Sequence, residues 1–298
     1  MELRQVEYFL AVVEHGGIRR AATALRIAQP SVSQGIRALE RELGTELFHR
    51  VGRRMVLSPA GTAFVRPARQ LRRDASTVHS AVAGALGLEG GRLDIASEPA
   101  LSVDPTARLV GLFRSEHPEV SVRLVAPLRE AALTRLVRDG TCELGFGYLP
   151  QPMQGLSYQV VGTHEIVLVL PPGSPGAGSP ASFAELDGQP MIVVPRGAAQ
   201  RDFLGPLIDA AGVRTRIAVQ IAHREAILPM VLSGVGATLL PLPRAEEAAR
   251  RGAVIRRVTP PVTREVALFH RVGELSHAAQ VFWDLAGESA EVGAGDRT

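Results

Sequence analysis

Five side chains that form hydrogen bonds lie close together near residue 30, and their chemistry suits contact with DNA. They are Gln29, Ser31, Ser33, Gln34 and Arg37. Amide and guanidinium groups can bond base edges in the major groove, and hydroxyls can bond phosphates. Apolar residues in the same segment recur at steps of four, three and four, which places them on the other side of one helix. These apolar residues are Val32, Ile36, Leu39 and Leu43.

The elements around this helix predict how it is held. Residues 20–25 form a short helical pattern, and residues 26–28 form a tight connection to the next helix. Pro30 suits a first helical turn, where its missing N–H is no loss, and we include it in the DNA-contacting set. Two short helices joined by a three-residue turn make a helix-turn-helix, whose second helix can lie in the major groove. An apolar stripe upstream is expected to support the pair from behind, through Leu3, Val6, Phe9, Leu10 and Val13.

A short β-hairpin is predicted after the second helix. Residues 46–50 and 54–57 flank a turn at residues 51–53, which is the pattern of a wing beside a recognition helix. Arg50, Arg53 and Arg54 lie at its tip and are expected to contact phosphates or the minor groove. The alternative is that they are solvated tip charges.

A long amphipathic helix is predicted next. Ser58 is a suitable N-cap, and Pro59 suits the first helical position. Apolar residues then alternate at steps of four and three, which is a heptad seam that calls for a partner helix. The predicted dimerisation residues are Phe64, Ala68, Leu71, Ala75, Val78, Val82 and Ala85. A second copy would set two recognition helices on successive major-groove faces. The alternative is that the seam packs against its own chain.

Six ordered blocks of the chain carry a family resemblance. They lie at residues 3–9, 20–22, 28–33, 36–40, 43–50 and 57–61. With these blocks the N-terminal region resembles a LysR-type transcriptional regulator, and the rest of the chain follows that family's plan. Three features depart from the family pattern. Gly17 and Ile18 replace the usual Ser and Phe, Gly35 lies inside the recognition helix, and Arg26 stands in the turn where the family has Gly.

The resemblance implies an architecture in three parts. These are an N-terminal winged helix-turn-helix (all-α with a β wing), a long linker helix, and a C-terminal α/β two-lobed effector domain like a periplasmic binding protein. The alternation of strands and helices after Arg92 independently predicts parallel sheets with crossover helices. We expect the domains at residues 1–58, 59–88 and 91–286, with lobe I at 91–161 and 265–286 and lobe II at 162–264. Residues 287–298 are small and polar and are predicted to be disordered.

An effector is expected between the lobes, beyond the carboxyl ends of the strands. Mapped onto the family pattern, the effector-binding residues are Ser97, Glu98, Pro99, Ala126, Pro127, Tyr148, Arg196, Gly197 and His223. The family implies small carboxylates or aromatic acids as ligands. Glu98 would repel an anion unless Arg196 or His223 offsets it or unless it is protonated. We therefore expect a ligand with at least one donor or cationic group. The alternatives are that Glu98 caps a helix and points to solvent, and that His223 is an ordinary loop histidine.

Composition and charge agree with a DNA-binding protein. The 298 residues are 46% hydrophobic and 21% charged, which is typical of globular proteins with ample core. Residues 1–88 contain 13 Arg and 7 acidic residues, whereas residues 89–298 contain 20 Arg and 23 acidic residues. The excess of positive charge in residues 1–88 favours binding of a polyanion such as DNA by the N-terminal part of the chain. The single cysteine, Cys142, excludes an intramolecular disulfide. With no apolar run of membrane-spanning length and no signal-peptide pattern, we expect a cytoplasmic protein.

Enzyme signatures are missing from the sequence. It contains no GxxxxGK loop, no GxSxG elbow and no HExxH pair, and its 8 histidines are scattered. We predict a non-enzymatic transcriptional regulator without cofactor or metal, controlled by a small-molecule effector. Its expected partners are double-stranded DNA, the effector and further copies of itself as a homodimer or homotetramer. RNA polymerase is a further candidate partner, and no membrane is expected. The alternative is a metabolite-binding or catalytic α/β protein whose N-terminal domain serves oligomerisation only.

Overall fold

A computed structural model of the protein describes residues 1–51, 54–85, 91–127 and 130–295. The N-terminal domain contains α1 (Leu3–His15), α2 (Ile18–Leu25), α3 (Gln29–Leu43), β1 (Phe48–Val51) and β2 (Arg54–Leu57). β1 and β2 pair antiparallel, so the predicted helix-turn-helix and its hairpin wing are confirmed. The predicted phosphate contact Arg53 and the side chain of Arg54 lie outside the described residues.

Phe9 of α1 is at the centre of the N-terminal core. Its buried ring lies 5.2 Å from that of Phe48 and 5.0 Å from that of Phe64, measured between ring centres. The carboxylate of Glu40 on α3 accepts the backbone N–H groups of Leu47 at 2.8 Å and Phe48 at 3.3 Å. The recognition helix and the wing are therefore joined by both packing and hydrogen bonds.

The linker helix α4 (Pro59–Ala85) begins where the sequence predicts. The Ser58 hydroxyl accepts the N–H of Gly61 at 2.9 Å, which confirms its capping role. The prediction that Ala68 contacts a partner is wrong, because Ala68 is completely buried in its own domain's core. Phe64 is also packed there, against Phe9. The first turns of α4 lie against α1, and this covers the start of the heptad seam.

Beyond those first turns, the seam emerges from its own domain. Leu71 is 38% exposed and Val78 is 63% exposed, and Ala75 is half-buried. The side chains of Val82 and Ala85 lie outside the described ones. Among the described side chains of this part of α4, Leu71 and Val78 therefore leave apolar surface for a partner helix.

The C-terminal domain alternates strands and helices, as predicted. In chain order it contains β3 (Gly91–Ser97), α5 (Ala107–Glu116), β4 (Val120–Val125), α6 (Glu130–Arg138), β5 (Leu144–Tyr148), β6 (Leu156–Leu170), β7 (Ala181–Ser182), β8 (Pro190–Val193), α7 (Ala199–Ala210), β9 (Arg216–Gln220), α8 (Ile227–Leu232), β10 (Thr238–Pro241), α9 (Leu242–Arg250), β11 (Val254–Arg271) and α10 (His277–Gly295). The sequence pattern does not predict β7 and α9.

The main sheet is mixed, so the expectation of parallel sheets is only partly met. Its strand order is β10-β6-β11-β5-β3-β4. β3 runs parallel to β4 and β5, whereas β5–β11, β11–β6 and β6–β10 are antiparallel pairs. β8 and β9 form a separate parallel pair. The antiparallel pairs arise because β6 and β11 carry the chain between the lobes in opposite directions.

β6 and β11 are much longer than the sequence pattern predicts. They run through both lobes, and His164 of β6 pairs with Arg264 of β11 where they cross. The predicted crossings near residues 161–162 and 263–264 stay predictions, and each lies within a continuous strand. Lobe I has a core around Phe113, Phe146 and Phe282, and lobe II has separate apolar cores.

The C-terminal helix corrects a second expectation. α10 continues to Gly295, so the prediction that the chain is disordered from residue 287 is wrong up to that point. Ala290 packs against the lobe I core, and this contact supports the extension of the helix. Residues 296–298 lie outside the described part. Among the helices of residues 1–51, 54–85, 91–127 and 130–295, none combines the length and hydrophobicity needed to cross a bilayer.

Arg26 adopts the left-handed conformation in the turn between α2 and α3, with φ 56° and ψ 40°. A side chain with a Cβ is strained there, and Gly is not. We expect Arg26→Gly to stabilise the N-terminal domain by about 0.5–1 kcal/mol, measured by thermal or urea unfolding. Ala24→Gly, within α2, is the matched control and should lose about 0.5–1 kcal/mol. Equal destabilisation by both variants would contradict the prediction.

Candidate functional site

The recognition helix α3 presents its polar face to solvent. Val32, Ile36 and Leu39 are buried on the inner face. The predicted DNA-binding residues on this helix are exposed, apart from one that is half-buried. They are Gln29, Pro30, Ser31, Gln34 and Arg37, with Ser33 half-buried. Arg50 on β1 is also exposed. The geometry thus brings together a polar helix face and a basic wing, as required for contact with a duplex.

Gly35, one of the departures from the family pattern, has a structural reason. A Cβ at this position would lie 2.5 Å from Cδ2 of Tyr8 on α1. The glycine therefore lets the tyrosine ring pack directly on the recognition helix. This contact is on the side of α3 that faces α1. Gly35 therefore sets how closely the two helices pack and leaves the polar residues of the exposed face unchanged.

A narrow, almost closed cleft lies between the two lobes of the C-terminal domain, with a cavity volume of only about 10 Å³. Among the described residues, side chains from both lobes line it. Its polar and aromatic lining residues are Glu98, Tyr148, Gln200, Phe203, Arg224 and Arg264. Its apolar lining includes Ile166 and Leu204. The cleft therefore combines charged groups with an apolar wall, as small-molecule sites commonly do.

Glu98 and Tyr148 are the predicted effector residues that line this cleft. Glu98 follows β3 directly, is only 4% exposed, and accepts the backbone N–H of Tyr148 through Oε1 at 2.9 Å. The alternative that Glu98 points to solvent is therefore wrong. Ser97 is buried behind the cleft, where its hydroxyl lies 3.2 Å from that of Thr106.

The other predicted effector residues lie outside the cleft lining. Arg196, Gly197 and His223 are exposed loop residues, Ala126 is exposed, and Pro99 and Pro127 are half-buried. In lobe II the residues that line the cleft lie on α7 and on the 3-10 turn Arg224–Ala226. These two elements directly follow the two predicted loops. The predicted lobe II loops therefore lie next to the cleft, but Arg196, Gly197 and His223 within them are exposed and do not line it.

Arg264 lies at the crossing of the lobes, between two aromatic rings. Its guanidinium carbon is 4.2 Å from the centre of the Tyr148 ring and 4.4 Å from the centre of the Phe203 ring. Cation–π attraction of this kind strengthens when the cation is desolvated, and Arg264 is buried. Arg224 is a second cation of the cleft, and burial lowers its pKa below the ordinary value for arginine. Arginine is ionised far above neutral pH, so both cations persist.

His164 connects the crossing strand to lobe I. It is 6% exposed, with Nδ1 2.8 Å from the Tyr148 hydroxyl oxygen and Nε2 3.0 Å from Oδ2 of Asp104. Burial raises the pKa of Tyr148 well above its ordinary value, so the phenol is neutral. The three side chains form a hydrogen-bonded chain that ends at the wall of the cleft.

The linker helix touches the effector domain through a specific ion pair. Arg69 on α4 lies 3.0 Å from Oδ2 of Asp139, which follows α6 in lobe I. The other oxygen of Asp139 accepts the N–H and hydroxyl of Thr141. β5 begins shortly after this contact and ends at Tyr148 in the cleft. The same strand therefore connects the cleft with the linker helix.

Cys142 is buried beside β5, and we predict that it does not react in the folded protein. Burial raises the pKa of its thiol to about 12, so the reactive thiolate is scarce near neutral pH. A thiol reagent such as DTNB at about pH 8 should modify Cys142 only after unfolding in guanidinium chloride. Cys142→Ala should lose about 1 kcal/mol of stability with promoter binding unchanged. Modification of the native protein at the rate of a free thiol would contradict this.

The described part of the chain contains no group of three or more His, Cys, Asp or Glu side chains arranged to hold a metal ion. The candidate sites are therefore a polar helix face with its wing, and a cleft with charged and apolar walls.

Comparisons with known proteins cover nearly the whole chain. The family model described as bacterial regulatory helix-turn-helix protein, lysR family, matches residues 3–62, and the model described as LysR substrate binding domain matches residues 86–291. The RuBisCO operon transcriptional regulator of Allochromatium vinosum is 29% identical over 286 residues, which are 95% of this chain and 94% of the relative. The HTH-type transcriptional regulator TfdS of Cupriavidus pinatubonensis is 31% identical over 262 residues, 86% of each chain.

Solved structures share the same fold. Full-length CbnR complexed with its target DNA has a TM-score of 0.67 at 24% identity, covering 97% of this chain and 100% of that one. A full-length OxyR variant from Pseudomonas aeruginosa has a TM-score of 0.76 at 20% identity, covering 98% of this chain and 95% of that one. These likenesses extend to the arrangement of a helix-turn-helix domain followed by a two-lobed domain.

Proposed function

This chain belongs to the LysR family of bacterial transcriptional regulators, and we propose that two copies bind a pseudo-palindromic promoter while a small molecule in the inter-lobe cleft changes their arrangement. The alternative of a catalytic or metabolite-binding protein is set aside, because the relatives that cover most of the chain are named transcriptional regulators. The observation that carries the proposal is the exposed polar face of α3, which lies beside the wing and above a buried apolar face.

We propose that the recognition helix lies in the major groove. The residues expected to contact bases or nearby phosphates are Gln29, Pro30, Ser31, Ser33, Gln34 and Arg37. The wing arginines Arg50, Arg53 and Arg54 are expected to contact the sugar-phosphate backbone. Hydroxyl and amide groups at the start of a helix are well placed for such contacts, since N-terminal residues of recognition helices reach the base edges.

The second part of the proposal is a homodimer held by α4. The exposed apolar side chains of Leu71 and Val78 support pairing of this helix with a second copy. A tetramer would need a further interface between effector domains. Such an assembly sets two α3 helices about one helical turn of DNA apart.

The regulatory part of the proposal places the effector against Glu98, Tyr148, Arg224 and Arg264. These groups come from both lobes and from the strand that crosses between them. A ligand that contacts all of them binds one separation of the lobes better than another, and this difference is what shifts a conformational equilibrium.

We propose that no cofactor is involved. Promoter binding requires access to the chromosome, so we infer a cytoplasmic location and RNA polymerase as the downstream partner.

A gel-shift titration with the DNA upstream of the protein's own gene tests the proposal. Binding should weaken steeply with salt, by about a thousandfold between roughly 50 and 200 mM, because a dimer neutralises several phosphates. An unrelated duplex of the same length is the control and should bind far more weakly. Light scattering of the intact chain should give a dimer or a tetramer. A strictly monomeric protein, or equal affinity for both duplexes, would overturn the proposal.

A further inference from the structure

The inter-lobe cleft is closed in this structure. Its cavity volume of about 10 Å³ is close to the minimum that a single water molecule needs. Pockets that hold small molecules usually measure about 300–1,000 Å³. An effector therefore cannot enter while the lobes keep this arrangement, and the contacts that keep them closed decide when it can.

Arg264 fills the space between the lobes. Its guanidinium carbon lies 4.2 Å from the centre of the Tyr148 ring and 4.4 Å from the centre of the Phe203 ring. Tyr148 belongs to the lobe I core, and Phe203 packs against a lobe II core. One buried cation thus joins the cores of both lobes through two aromatic faces. Because Arg264 is desolvated, both contacts are at the strong end of cation–π interactions.

Other contacts between the lobes are few. In the described ranges, each buried apolar cluster of the C-terminal domain belongs to a single lobe, so the lobes share no apolar core there. Strands β6 and β11 run through both lobes, and α9 of lobe II touches the turn Ser102–Thr106 of lobe I. The stack of Tyr148, Arg264 and Phe203 is therefore the contact that closes the cleft itself. We call these three side chains the clasp.

The two halves of the clasp are held differently. Tyr148 pairs in the sheet with Val266, which is two residues from Arg264, so the backbone holds Tyr148 and Arg264 side by side. The hydroxyl of Tyr148 is also 2.8 Å from Nδ1 of His164. Phe203 lies on α7, which belongs to lobe II and moves with it. Separation of the lobes therefore removes Phe203 from Arg264 and leaves Arg264 against Tyr148.

We propose that the clasp keeps the cleft closed and that an effector is admitted only when Phe203 leaves Arg264. An effector in the vacated space prevents the clasp from re-forming, and it therefore favours a more open arrangement of the lobes than the present one. Arg264 need not give up its contact with Tyr148 for this to happen. The inference rests on the proposed function, because it assumes that the effector enters this cleft.

Chemical trapping of a thiol inside the cleft measures how often the clasp opens. Ile166 lines the cleft and is 3% exposed, so Ile166→Cys places a thiol that N-ethylmaleimide can reach only after opening. Cys142 is buried outside the cleft lining, and its modification in the same sample reports unfolding. Mass spectrometry of peptides from the full-length protein follows both positions. When closing is faster than modification, the rate at position 166 is proportional to the open fraction.

Two substitutions of Phe203, each combined with Ile166→Cys, isolate the aromatic ring. Phe203→Leu keeps an apolar side chain but removes the ring, and it should raise the modification rate at position 166 about fivefold or more. Phe203→Tyr keeps the ring and is the matched control, expected within about twofold of the parent protein. Arg264→Met removes the cation at similar length and should raise the rate as Phe203→Leu does. The rate at Cys142 should stay unchanged in all three variants.

Three results would overturn the clasp. The first is an unchanged rate at position 166 in Phe203→Leu or in Arg264→Met. The second is an equal increase in Phe203→Leu and Phe203→Tyr, because the ring would then have no special role. The third is an increase that Cys142 shares in both Phe203→Leu and Arg264→Met, because these side chains would then hold the fold and not the closed cleft.

The gel shift tests the regulatory role of the clasp. Phe203→Leu imitates the effector, so its complex with the upstream DNA should migrate differently from that of the parent protein. Identical mobility of the two complexes would overturn this role. The trapping experiment needs neither DNA nor effector. If the parent protein ignores its upstream DNA, the proposed function alone is overturned, while the rates at position 166 still decide whether the clasp closes the cleft.

Discussion

Arg37→Ala is expected to weaken binding to the upstream promoter by at least about thirtyfold. An arginine contact to bases or phosphates contributes about 1–3 kcal/mol per copy, and a dimer loses it twice. Arg37 is exposed on α3, so its removal leaves no buried group without a partner. Alanine also has a high helix propensity, so the helix itself is retained. The measurement is a gel-shift titration at fixed salt, with circular dichroism to show that the fold is intact.

Arg250→Ala is the matched control for this experiment. Arg250 is an exposed arginine at the end of α9 in lobe II, so the variant removes the same charge far from the recognition helix. It should bind the promoter within about threefold of the parent protein, because a distant exposed charge acts only through a screened field. Equal losses in the two variants would mean that α3 acts through overall charge and does not contact the DNA.

Gly61→Ala is expected to cause the largest loss of stability, about 3 kcal/mol or more. A Cβ on Gly61 would lie 2.0 Å from the carbonyl oxygen of Leu47. That oxygen belongs to the backbone and already accepts the N–H of Ser58, so it cannot move aside without breaking this bond. The N–H of Gly61 also bonds the Ser58 hydroxyl that caps α4. Urea unfolding followed through the N-terminal domain should show the loss.

Gly111→Ala is the matched control and should have the opposite sign. Gly111 lies within α5, and a Cβ there would have no heavy atom within 4 Å. Since alanine favours the helix and restricts the unfolded chain, we expect a gain of about 0.5–1 kcal/mol. A similar loss in both variants would show that the close approach at Leu47 has no special role.

The DNA-binding domain could be predicted from sequence because its signals are local. The steps between Val32, Ile36 and Leu39 specify a helix face within one element, and Ser58 specifies a cap within one turn. The heptad seam of α4 shows the limit of such reasoning. Its spacing indicates that an apolar stripe must pack against another surface, but it does not say which surface. At Ala68 that surface is the core of its own domain.

The lining of the inter-lobe cleft, where we propose that the effector binds, could be predicted only to the level of loops. Glu98 and Tyr148 can be identified because they lie at strand ends, which share one edge of a sheet. Arg264 lies in mid-strand, and the direction of its side chain depends on the register between β6 and β11, which periodicity within one strand does not specify. His223 and Arg224 are adjacent, and the turn conformation decides which of the two faces inward.

The unbroken course of β6 and β11 has a mechanical consequence for regulation. A flexible joint would let the lobes swing freely, whereas we expect a two-stranded ribbon paired on both sides of the crossing to change the cleft mainly by twisting about its own length. The ladder skips Val161 between Val266 and Ala267, and it skips residues 258–261 between Arg257 and Val262; such irregularities increase the local twist. We therefore expect the lobes to turn relative to each other about these two irregularities, with the paired residues between them moving as one unit.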